Sequence, residues 1–83
     1  MNPTLQMTAN TARLYVGERD IFLVKLSGKK GVVTFHHPNC IIPSSRVPLN
    51  ELVAFLAVRE RKYMTERMSL ELERWVQNAI GRD

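Results

Sequence analysis

The stretch DIFLVKLSGKKGVVTFHH, residues 20–37, constrains this chain more than any other. Two runs rich in β-branched and aromatic residues, 21–26 and 31–35, read as strands. Ser27-Gly28-Lys29-Lys30 lies between them. A two-residue loop of Gly28-Lys29 suits a type II′ turn, which takes positive φ at its first central residue. That register sets Phe22 opposite Phe35 and Val24 opposite Val33 on one face. Leu23 opposite Thr34 and Lys25 opposite Val32 form the other. The first pairing is apolar throughout and is the expected core face. The second is mixed, and is either a binding face or a partly covered one.

The flanking segments extend this into an α+β fold. Arg13-Leu14-Tyr15-Val16 also has β character. Pro38 and Pro43 bracket a short extended piece, Cys40 to Ile42, which a proline restricts to an edge or terminal strand. From Pro48 onward the pattern changes period. Pro48 suits a first helical turn, and Leu49, Leu52, Val53, Leu56, Tyr63 and Met64 recur at helical spacing. A second stripe runs through Met68, Leu72, Trp75, Val76, Ala79 and Ile80, and Gly81 suits the residue that ends it. Ser69 as an N-cap divides the segment into helices over about 48–67 and 69–80, although one long helix also satisfies the pattern. The expected organisation is a single domain, residues 1–83, β-rich over 4–47 and helical over 48–81.

A chain of 83 residues buries roughly 60% of its unfolded surface, near the lower limit for folding alone, so a homodimer is expected to help. A lone cysteine forms no internal disulfide, and a small secreted domain usually carries several, which favours a reducing compartment. The N-terminus lacks the basic start and apolar run of a signal peptide, and the longest apolar run, 52–58, is far too short to span a bilayer. The expected location is cytoplasmic.

The charge is segregated. Residues 1–47 carry six basic and two acidic side chains, whereas residues 48–83 carry six of each, so the whole net charge of +4 sits in the first half. Such a bias points to an anionic partner for the β-rich half, or to a solvated basic face. The neutral helical half argues against DNA binding through its helices.

Catalytic and metal constellations are weak. His36, His37 and Cys40 are the only histidines and cysteine, too few for a four-ligand zinc site within one chain. Adjacent strand residues point to opposite faces, which separates the two imidazoles. Cys40 has little beyond Asn39 nearby as an orienting third group and no predicted helix N-terminus to activate it, and reads as a small buried hydrophobe. Glu60, Glu66, Glu71 and Glu73 sit among basic residues as a solvated helical face does. Gly28-Lys29-Lys30-Gly31 is too short for a phosphate loop. No enzyme, cofactor, metal, membrane or small-molecule substrate is expected. The candidate site is the basic hairpin: Lys25, Lys29 and Lys30 near its tip, with Arg13, His36 and Arg46 in flanking segments. A small sheet with basic edges and rings that stack is a common way to hold unpaired RNA.

The order of these parts resembles the CsrA/RsmA carbon-storage regulators of bacteria. Val16-Gly17, the strand 21–26, Gly28-Lys29-Lys30-Gly31, Val32-Val33, Pro38, Arg46 and a helix from about Leu49 fall in the family's order, over roughly residues 4–58, with the last 25 or so residues as a helical extension. The resemblance implies a strand-exchanged homodimer that binds mRNA leaders and alters translation. It also implies that Arg46 is the arginine that contacts RNA ahead of the helix. Thr8 and Ala9 stand about where the family carries paired RNA-binding arginines, and Ser45 stands where it carries a histidine. The Gly-Glu of its first turn is missing, and FHHPN replaces a Gly-x-x-Ala-Pro stretch. These departures leave either altered RNA specificity or a scaffold for a protein partner. The expected function is therefore a small non-catalytic RNA-binding regulator of translation. The alternative is a protein-interaction module, such as a small phage or mobile-element protein inhibiting a host factor, served by Phe55, Tyr63, Trp75 and the methionines of the helical half.

Overall fold

A computed structural model describes residues 2–36 and 44–81. Five strands form one antiparallel sheet in sequence order: β1 (Thr4–Met7), β2 (Thr11–Val16), β3 (Arg19–Ser27), β4 (Lys30–Phe35) and β5 (Ser45–Pro48). Two helices follow, α1 (Leu49–Arg59) and α2 (Glu66–Gly81). The fold is α+β, as expected. His37, Pro38, Cys40 and the extended piece 40–42 lie outside the described residues.

The central hairpin has the register that its residues dictate, Phe22↔Phe35, Leu23↔Thr34, Val24↔Val33 and Lys25↔Val32, with Ser27 facing Lys30. Gly28 takes φ +63°, and no residue other than glycine has positive φ among the described residues. A type I′ turn would need positive φ at Lys29 as well, so the turn is of the II′ kind. The β2–β3 connection repeats the device: Val16 faces Arg19 and Gly17 takes φ 60°.

Alternation sorts the sheet into two faces. Ala12, Leu14, Phe22, Val24, Val33, Phe35 and Val47 are buried and point toward the helices. Phe22 and Phe35 meet edge-on, with ring centroids 6.5 Å apart. From α1 come Leu49, Leu52 and Leu56, and from α2 Leu72, Trp75, Val76 and Ala79, the i, i+3, i+4 stripes that one helical face presents. Trp75 closes the layer: its Nε1–H donates to the Thr8 carbonyl, 2.7 Å away in the β1–β2 turn.

The helical half departs from the sequence reading in detail. There are two helices, but they part over 60–65 and not at Ser69, which lies within α2. The Glu60 N–H donates to the Leu56 carbonyl as α1 ends, and the Tyr63 and Met64 N–H groups both donate to the Glu60 carbonyl in the turn beyond. Thr65 is the cap that matters: its Oγ1 accepts from the Met68 N–H at 3.2 Å. Tyr63 and Met64 therefore belong to the connection, partly buried against the core, and not to the stripe of α1. Ile80 is 41% exposed, outside the packed stripe of α2. Gly81 is the last residue of α2.

Candidate nucleic-acid interface

Both helices lie against the same face of the sheet, which leaves the other face uncovered. On β2 that open face carries Thr11, Arg13 and Tyr15; on β3, Asp20, Leu23 and Lys25; on β4, Lys30, Val32 and Thr34; on β5, Arg46. His36 continues the alternation one residue past β4, is exposed, and donates its N–H to the Ile21 carbonyl at 3.1 Å. Five of the six residues singled out from the sequence, Arg13, Lys25, Lys30, His36 and Arg46, thus share one side of the sheet. Lys29 sits at the turn beside them.

The cations are not equivalent. Lys25 and Arg46 both flank Val32, in the row Lys25↔Val32↔Arg46. Two strand spacings separate them, about 9.6 Å between backbones. Lys30 follows toward the hairpin tip, opposite Pro48. All three side chains are exposed, and none enters an ion pair among the described residues. Arg13 differs. Its Nε donates to Asp20 Oδ1 at 2.6 Å and its Nη2 reaches the same oxygen at 2.5 Å. Its guanidinium carbon lies 4.5 Å from the centroid of the Tyr15 ring.

Several cations of the helical half are occupied elsewhere. Arg59 stacks over Phe35 and Phe55, at 5.2 Å and 5.8 Å from their centroids, and Arg67 reaches Glu71 at 3.6 Å. Arg61 and Arg74 remain exposed on the helical half, with no ion pair among the described residues. Among the described residues no three His, Cys, Asp or Glu side chains group as metal ligands, and His37 and Cys40 lie outside that set. No helix among the described residues is long and apolar enough to cross a membrane.

Tyr15 is the site residue that reading the sequence overlooked. Arg13-Leu14-Tyr15-Val16 presents as an apolar strand, but its period of two puts Arg13 and Tyr15 on one side and Leu14 on the other. That alternation was available; the position of Asp20 was not, because it depends on a bulge. Leu14 faces Phe22 while Tyr15 faces Asp20, so β3 carries one extra residue, Ile21.

Compared with protein-family models, curated proteins and solved structures, the chain finds no match.

Proposed function

We propose that this chain is a small, non-catalytic, CsrA-like regulator of gene expression that holds single-stranded RNA on the open face of its sheet. The observation that carries the reading is the sheet face free of both helices, on which Lys25, Lys30 and Arg46 stand without counter-charges among the described residues, beside Arg13, Tyr15 and His36. Phosphates supply the missing counter-charge, and unstacked bases find rings and a guanidinium plane to lie on. The width of the sheet favours an unpaired strand. Five strands span about 19 Å, more than the roughly 12 Å of a major groove, so the face cannot enter a duplex as a helix or a two-stranded ribbon does.

The reading places the protein in the cytoplasm and, through the likeness to the carbon-storage regulators, on mRNA leaders as a homodimer. All five strands pair within one chain, so a second copy would join at the sheet's edge strands, β1 or β5. Sedimentation of the purified protein measures that state.

The direct test is a shift assay at low salt with an unstructured RNA oligonucleotide, alongside single-stranded and duplex DNA of the same sequence. The expected result is binding of the unpaired RNA at micromolar protein, with Arg46→Ala costing more than the loss of any single lysine. Absence of RNA binding under these conditions ends the proposal. A second reading, a protein-interaction module, draws on Val58 and Leu70, apolar helix residues 68% and 62% exposed. A protein that stays bound in a pull-down after nuclease treatment would favour it.

A further inference from the structure

Arg13 is one of the basic residues of the candidate site, but its surroundings differ from those of the other cations. Its Nε–H donates to one oxygen of Asp20 and its Nη2 lies against the same oxygen, an ion pair that offsets its charge and restrains the guanidinium. The guanidinium carbon lies over the ring of Tyr15, two residues along the same strand and on the same face, 4.5 Å from its centroid. The side chains of Arg13 and Asp20 remain 40% and 36% exposed, so the stack is open to solvent.

The bulge in β3 builds this arrangement. With regular pairing beyond Leu14↔Phe22, Ile21 would face Tyr15. The extra residue sends Ile21 into the core, where it is 5% exposed, and brings Asp20 opposite Tyr15. Re-aiming one side chain in this way is what a bulge does. The acid is thereby supplied to the arginine by β3, while the ring comes from β2.

The open face then has two functional ends. Asp20 lies near the β2–β3 turn and Lys25 five residues along β3 toward the other end, roughly 15 Å away at strand spacing. The end near the β3–β4 turn holds Lys25, Lys30 and Arg46, which have no counter-charges among the described residues. The end near the β2–β3 turn holds a neutralised, planar, aromatic-backed surface. Stacking on a ring or a guanidinium is how unpaired bases are held, and it needs no net charge.

We infer that Arg13, Tyr15 and Asp20 form a stacking subsite for one unpaired nucleobase, with Asp20 as the positioning residue that makes Arg13 a surface for a base and not a contact for phosphate. The inference rests on the RNA reading above and goes further by dividing the face into a base end and a phosphate end.

The test measures affinity and its salt dependence with an RNA oligonucleotide, using Tyr15→Leu, Tyr15→Phe and Arg13→Gln. Tyr15→Leu should weaken binding between about 5-fold and about 150-fold, the range for loss of one stacked base, with the slope of log K against log salt unchanged. Tyr15→Phe keeps the ring and should bind as the parent does. Arg13→Gln should weaken binding while moving the slope by much less than the roughly 0.7 that one phosphate contact contributes on a single strand. Abasic sites stepped along the RNA should reveal one position that reproduces the Tyr15→Leu loss, and on that RNA the variant should cost nothing more. Circular dichroism and the emission of Trp75, on the opposite side of the sheet, confirm that each variant folds. If the parent binds with the expected salt dependence but folded Tyr15→Leu binds equally well, the subsite is refuted and the RNA reading stands. A slope reduced by about 0.7 in Arg13→Gln refutes it too, by making Arg13 a phosphate contact. A parent protein that binds no RNA removes both.

Discussion

Replacing Arg46 by glutamine tests where the phosphates of a bound RNA lie. Four cations on or beside the open face have no ion-pair partner among the described residues: Lys25, Lys29, Lys30 and Arg46. Arg13 is committed to Asp20. Each phosphate neutralised on a single strand contributes about −0.7 to the slope of log K against log salt, so four contacts give about −2.8. Between about 50 mM and about 200 mM salt, that slope weakens binding about 50-fold. Arg46→Gln should bring the slope to about −2.1 and the loss over the same range to about 18-fold. Fluorescence anisotropy with a labelled, unstructured oligonucleotide at four or five salt concentrations measures both slopes. Arg74→Gln, on the exposed side of α2, is the control and should leave the slope where it was. The reasoning is refuted if Arg46→Gln keeps the parent slope. It also fails if the parent slope is steeper than about −3.5, which would need more phosphate contacts than the five basic side chains Arg13, Lys25, Lys29, Lys30 and Arg46 can make.

Two further predictions concern the scaffold that holds the face open. Trp75→Phe keeps an aromatic ring in the core but removes the hydrogen bond to the Thr8 carbonyl. It should cost about 1–2 kcal/mol and lower the midpoint of a thermal melt by about 4–16 °C, whereas an unchanged midpoint would show that the bond does not hold α2 to the β1–β2 turn. Thr65→Ala removes the oxygen that caps the Met68 N–H and should destabilise the protein by about 0.5–2 kcal/mol in urea, while Thr65→Ser stays near the parent. Ser69→Ala, one turn inside α2, should cost less than Thr65→Ala; the reverse order would return the helix start to Ser69.

Local chemistry determined much of this protein without any tertiary information. The Gly28-Lys29 turn set the register of the central hairpin, because a two-residue connection admits only a few backbone shapes. Once the register is set, strand alternation separates Phe22, Val24, Val33 and Phe35 from Lys25, Val32 and Thr34. The change to helical spacing after Pro48 marked the helical half for the same local reason. What the residues left open were choices between locally equivalent arrangements. One helix or two satisfies the backbone after Pro48 equally well. Folding back over the sheet decides for two, since it buries Leu72, Trp75 and Val76 with Leu52 and Leu56. The covering of a single face is likewise a consequence of that packing, and it turns a mixed strand face into an open one. Most of all, the charge of Arg13 was legible but its use was not. Asp20 is seven residues away along the chain, and only the bulge at Ile21, which the core stabilises by taking that side chain in, brings the carboxylate up to the guanidinium.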